Sequence, residues 1–161
     1  MRIAEKIDVA AEPELVWEQV SDPARVLHFF AGVTRWEVEG EKVTGLGARY
    51  RMLMRVGSAE IGGLIEIVEW APPGDLAWNS ITGVDQRGRW RLRAESPNRT
   101  RVELRLAYGV AGSGIFGWLS EQLAAPTVRG NLRRSLQQLK RQVEHEQLRA
   151  AAAARRAARA S

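Results

Sequence analysis

Between Arg2 and Val9 apolar and polar residues alternate, Ile3, Ile7 and Val9 on one parity and Arg2, Lys6 and Asp8 on the other, as a half-buried strand requires. Glu5 falls on the apolar parity. Pro13 suits a first helical turn, and Leu15, Val16, Trp17 and Val20 then predict a short amphipathic helix. Asp22-Pro23 predicts a second helix, with Asp22 capping free N–H groups and Val26, Leu27, Phe29 and Phe30 on its apolar side.

From Val33 to Val110 the period is two. Trp36 and Val38 oppose Arg35, Glu37 and Glu39, and Tyr50, Met52, Met54 and Val56 oppose Arg49, Arg51 and Arg55. Ile61 to Trp70 predicts a longer strand, bulged at Gly62-Gly63. Pro72-Pro73-Gly74-Asp75 marks a turn before the strand Leu76 to Thr82. Arg87, Arg89, Arg91 and Arg93 then alternate with Gly88, Trp90, Leu92 and Ala94. After Ser96-Pro97-Asn98, Val102, Leu104, Leu106, Tyr108 and Val110 alternate with Arg101, Glu103 and Arg105. With the first strand this makes seven. Gly112-Ser113-Gly114 breaks the pattern, and a helix is expected from about Ile115 to beyond Val143, kinked at Pro126, with Leu132, Leu136, Leu139 and Val143 on one stripe.

The pattern predicts an α+β domain over residues 1–147. Residues 148–161, mostly alanine and arginine without a stripe to bury, predict a basic tail that is frayed or disordered. The 161 residues suffice for one domain with a real core. Net charge is +5, yet Lys140 to Ser161 holds six basic residues and two acidic ones, so the rest is nearly neutral. There are 21 arginines against three lysines, a bias that coding composition alone can produce. The absence of cysteine excludes disulfides and thiolate metal sites. Met1 leads directly into the first strand, with no leader-like segment and no apolar run of membrane-spanning length, so a cytoplasmic location is expected.

Four segments carry a family resemblance: Ala11-Glu12-Pro13-Glu14-Leu15-Val16-Trp17, Ser21-Asp22-Pro23, Trp70-Ala71-Pro72-Pro73 and Thr100-Arg101-Val102-Glu103-Leu104. With the order strand, two short helices, six strands and long helix, the chain from about Ile3 to Glu144 resembles the START-like (SRPBCC) superfamily, the polyketide cyclase/dehydrase and lipid transport group. The resemblance implies a helix-grip fold, a curved seven-stranded antiparallel sheet wrapped around the long helix with a cavity between them. Its members look like lipid carriers, hormone receptors, aromatase/cyclases and cochaperones, so it speaks for architecture more than activity.

The inward parity supplies candidate lining residues for such a cavity: Tyr50, Met52, Met54, Ile65, Trp78, Trp90, Leu92, Leu104, Leu106 and Tyr108. Methionines adapt to irregular apolar shapes, and Tyr50 and Tyr108 could orient a ligand. Large side chains at strand period are also what an ordinary filled core shows. The leading expectation is binding or transport of a lipid, fatty acyl or polyketide-like molecule without a cofactor. The alternatives are a cyclase/dehydrase-type enzyme using the same cavity and an interaction module using the arginine-rich sheet face.

Catalytic candidates are sparse. His28 and His145 lie far apart in sequence without ligand spacing, so no metal site is expected, and no serine sits in a Gly-x-Ser-x-Gly elbow. Glu5 and Glu69 are acid–base candidates if they face the cavity, with His28 at its mouth; otherwise Glu5 reaches water at a sheet edge and the glycine bulge turns Glu69 outward. Arg87, Arg89, Arg91 and Arg93, with Arg101 and Arg105, predict a basic outer stripe, but no exposed aromatic platform accompanies it and no specific nucleic-acid partner is expected. Arg149, Arg155, Arg156 and Arg159 in the tail permit weak contact with anionic surfaces. A monomer or homodimer is expected.

Overall fold

The computed structural model describes residues 2–109 and 121–161. The elements run β1 (Arg2–Val9), α1 (Pro13–Val20), α2 (Val26–Phe29), β2 (Val33–Glu39), β3 (Arg49–Val56), β4 (Ala59–Ala71), β5 (Asp75–Ser80), β6 (Gln86–Ser96), β7 (Arg99–Tyr108) and α3 (Glu121–Ala160). The strands form one antiparallel sheet in the order β1-β7-β6-β5-β4-β3-β2. Consecutive strands from β2 to β7 are neighbours, and only β1 crosses over, through α1 and α2, to the far edge beside β7. The predicted Gly112-Ser113-Gly114 break and the helix start near Ile115 lie outside the described residues. No helix among the described residues is long and apolar enough to cross a membrane.

Period-two patterning places the core. Tyr50, Met52, Met54 and Val56 on β3, Leu76 and Trp78 on β5, Trp90 and Leu92 on β6, and Val102, Leu104 and Leu106 on β7 are all buried on the inward face. Against them α3 sets Val128, Leu132, Leu136, Leu139 and Val143, its one apolar stripe, also buried. Lys140 ties the helix to β1 by donating to the Asp8 carbonyl at 3.0 Å. The α2–β2 connection is held by the Ala31 N–H, which donates to Ser135 Oγ at 2.8 Å.

Three local expectations are corrected. The bulge of β4 is not at Gly62-Gly63, which pair in regular register with Leu53 and Met52; the register shift falls between Ile67 and Glu69. The glycines serve close approach instead. Gly62 has φ +152°, and a Cβ there would overlap the Met52 carbonyl, while one at Gly63 would overlap that of Thr82. Asp22 does not cap α2: its Oδ1 accepts the Ala24 N–H at 2.9 Å, an Asx turn, and the helix begins later at Val26. Finally, the chain is helical through Ala160 where fraying or disorder is expected. Alanine and arginine are strong helix formers, and the preceding packed turns supply the nucleus.

Leu148 is exposed, as are residues 153–161, hence the last turns of α3 bury little. Deleting Leu148–Ser161 is expected to change unfolding free energy by less than about 1 kcal/mol. Chemical denaturation of full-length and truncated chains measures this, and a larger loss would mean that these turns pack on the domain or on another chain.

Candidate functional site

Two small spaces open on the inward face among the described residues. The first, about 10 Å³, lies beneath the α1–α2 junction, between Val20, Ser21, Pro23, Val26 and Phe30 on one side and Trp36, Tyr50, Ile67, Leu76, Trp78 and Trp90 of the sheet on the other. Aromatic rings account for its size. Phe30 meets Trp90, Trp36 and Trp78 at centroid distances of 5.9, 6.1 and 6.4 Å, Trp36 crosses Trp78 at 6.0 Å and 90°, and Trp36 stacks on Tyr50 at 5.4 Å. Tyr50 donates its hydroxyl proton to the Val43 carbonyl at 2.6 Å. Burial, assisted by the charge of Asp22, pushes its pKa up to about 12, so the phenol stays protonated.

The second space, about 40 Å³, is lined by Met52, Met54, Val56, Ile61, Gly62, Val84, Gln86, Leu106, Tyr108 and Val128. Gln86 is a buried polar side chain, and its Nε2 donates to Met52 Sδ at 3.2 Å. Sequence reasoning missed Gln86, although it shares the parity of Gly88 and Trp90. It also missed Phe30 and Trp36, whose rings reach the site from the end of α2 and an edge strand.

The expected lining residues therefore divide. Tyr50, Trp78 and Trp90 border the first space, and Met52, Met54, Leu106 and Tyr108 the second. Ile65, Leu92 and Leu104 are packed in the core and border neither.

None of the three acid–base candidates borders either space. Glu5 faces α3 and is held by Arg129 Nη1 at 2.9 Å and Arg133 Nε at 3.2 Å, arginines one turn apart. Its place on the apolar parity is thus explained by an ion pair to the helix. Glu69 points outward to Arg89, turned by the shift at Val68 and not by the glycines. His28 and His145, far apart in sequence, meet at one shallow polar cleft of about 290 Å³, together with Gln19, Arg25, Gln142, Glu146 and Arg149. Among the described residues no group of three or more such side chains is placed to hold a metal ion.

Most of the outer arginine row is ion-paired. Asp75 accepts from Arg93 at 2.8 Å, Arg91 at 3.3 Å and Arg89 at 3.5 Å. Asp8 and Glu95 take Arg99 and Arg101, and Glu103 takes Arg105 and Lys6. Burial works against the charged form of Asp75, but Arg93 and Arg91 outweigh it and hold the carboxyl below its usual range.

A helix-grip sheet enclosing an apolar, aromatic-lined interior is matched by a family model, described as polyketide cyclase / dehydrase and lipid transport, over residues 1–144. The chain belongs to this family. The family's fold suggests a hydrophobic ligand-binding cavity between sheet and helix. No curated protein matches the chain. Among solved structures, TTHA0849 from Thermus thermophilus is 24% identical with TM-score 0.75, covering 89% of this chain and 97% of that one. The Zhui aromatase/cyclase from Streptomyces sp. R1128 is 18% identical with TM-score 0.77, covering 89% and 93%. DR_A0006 from Deinococcus radiodurans is 17% identical with TM-score 0.64, covering 91% and 99%. At these identities the likeness is one of fold.

Proposed function

We propose that the chain binds or carries a hydrophobic small molecule of lipid, fatty acyl or polyketide-like character, seated along the inward face of β3 between Tyr50 and Met54. The observation that carries this reading is the second space, where two methionines and five other apolar side chains surround one buried amide, that of Gln86. Ligand sites are built this way, mostly apolar with a few orienting polar groups. Drug-sized sites run to roughly 300–1,000 Å³, so a ligand must enlarge the space. Met52 and Met54 are suited to that, being unbranched and free to change rotamer. The lining supports binding more than acid–base turnover: among the described residues, neither space is bordered by a carboxylate or an imidazole.

Native mass spectrometry of freshly purified protein is expected to show a copurifying hydrophobic ligand, and palmitate or a flat polycyclic compound should alter the fluorescence of the tryptophans around the first space. Met54→Phe, a change that adds bulk where the free space lies, should weaken binding at least about tenfold. Its stability should stay within about 1.5 kcal/mol of wild type, because the added bulk enters space that is already free. No copurified ligand together with no fluorescence response to either compound would refute the reading.

A further inference from the structure

On the outer face of the sheet, away from the two inward spaces, lies a concavity of about 610 Å³ bordered by residues of β1, β7, β6, β5 and β4. Strand register builds it. One cross-strand row runs Arg2, Ala107, Arg87, Asn79, and the next runs Ala4, Arg105, Arg89, Ala77. The three alanines keep the floor low between long arginine side chains. Four arginines border the concavity, Arg2, Arg87, Arg89 and Arg105, against one carboxylate, Glu69. Glu69 pairs with Arg89, and Arg105 has Glu103. Arg2 and Arg87 have no carboxylate within ion-pair distance among the described residues, unlike the other arginines of β6 and β7. The register explains the difference: the cross-strand neighbours of Arg87 are Ala107 and Asn79, and that of Arg2 is Ala107.

Arg2 and Arg87 thus flank Ala107 across two strand spacings, roughly 10 Å between their Cα atoms. An extended arginine side chain covers more than half that gap, so both guanidiniums can reach one group seated over Ala107. The geometry points to an oxyanion site between Arg2 and Arg87 whose occupant is the phosphate monoester of a small molecule. Two unpaired positive charges match a dianion, and a phosphate monoester carries about two negative charges at neutral pH. Its three free oxygens accept a guanidinium fork from each side, whereas a carboxylate satisfies one fork only. Asn79 sets an amide beside Arg87. The volume falls within the roughly 300–1,000 Å³ of small-molecule sites, and the alanine floor receives the organic body. A single-stranded nucleic acid is disfavoured because no aromatic side chain borders the concavity, and a concave wall does not lie against a flat membrane.

Calorimetric titration of the full chain with phenyl phosphate at about pH 7.5, where the ester is a dianion, is expected to show saturable binding. Phenyl sulfate, alike in shape but singly charged, should bind at least about threefold more weakly. Inorganic phosphate, which lacks the ring, should also be weaker by about threefold or more. Arg87→Gln and Arg2→Gln should each weaken phenyl phosphate about tenfold or more, the loss of one charge-assisted pair. Arg91→Gln removes an outer arginine that does not border the concavity, and should leave affinity within about twofold because its charge is screened at that distance. Should Arg2→Gln loosen the edge strand, Arg87→Gln decides. No saturable binding of phenyl phosphate, equal affinity for phenyl sulfate, or an equal loss from Arg91→Gln would overturn the phosphate-ester site. So would inorganic phosphate binding as tightly as the ester, the mark of a site for the free ion. Binding only to phosphatidylcholine vesicles containing phosphatidate, the mark of a lipid-headgroup contact, would overturn it too. The interior ligand-binding reading concerns the other face of the sheet and stands in every case.

Discussion

Gly88→Ala is expected to destabilise the protein by about 3 kcal/mol or more, at the upper end of overpacking penalties. Gly88 lies on the inward face of β6 opposite Trp78 of β5. A Cβ there would stand inside the van der Waals envelope of Cε2, Cζ2 and Cη2 of the indole. The ring cannot yield, because Trp78 is fully buried and its other sides meet Phe30 and Trp36. For a chain of this length the loss corresponds to a melting temperature lower by roughly 6–12 °C. Adding Trp78→Phe should recover part of it, with a coupling of about 0.5–3 kcal/mol in a double-mutant cycle. A Gly88→Ala protein melting within about 2 °C of wild type would contradict this packing.

The second large effect is expected at Asp75, whose carboxylate serves three guanidiniums on alternate positions of β6. Asp75→Asn leaves Arg91 and Arg93 without an acidic partner among the described residues and should cost about 1–3 kcal/mol at neutral pH. Its pH dependence has a definite sign. The folded carboxyl titrates below its ordinary value, near 3.9 in an unfolded chain. The stabilisation is therefore fully present above the unfolded pKa and is lost as pH falls through the folded one. The difference between wild type and Asp75→Asn should be constant from about pH 8 to pH 5 and shrink below about pH 4. Urea titrations at stepped pH measure it, and a difference unchanged down to pH 2 would count against the ion-pair assignment. Glu103 and Glu144 are also lowered, so wild type as a whole should weaken on acidification.

Strand parity and the helical stripe were legible because they are local: one wet and one dry face repeat every two residues, and Leu132 to Val143 sit on one side of any helix they form. The strand count, the long helix and the family all followed from those patterns and the four resembling segments. What the sequence could not show depends on partners remote along the chain. Glu5 reads as an anomaly on β1 until Arg129 and Arg133, more than 120 residues away, are folded against it. The arginine row of β6 reads as a basic stripe until Asp75 of β5 is paired beside it. Most important for the site, the volume left inside the sheet is set by how rings from α2, β2, β5 and β6 interleave, and parity says only that they point inward.

The length of α3 has an electrostatic consequence. Val143 is the last buried residue of its stripe, and Arg155 follows twelve residues later, roughly 18 Å along a helix rising 1.5 Å per residue. At physiological ionic strength fields are screened over about 8 Å. Arg155, Arg156 and Arg159 are therefore insulated from the ion pairs of the domain, a lever carrying charge clear of the body. Salt should therefore modulate whatever these arginines touch without acting through the folded body.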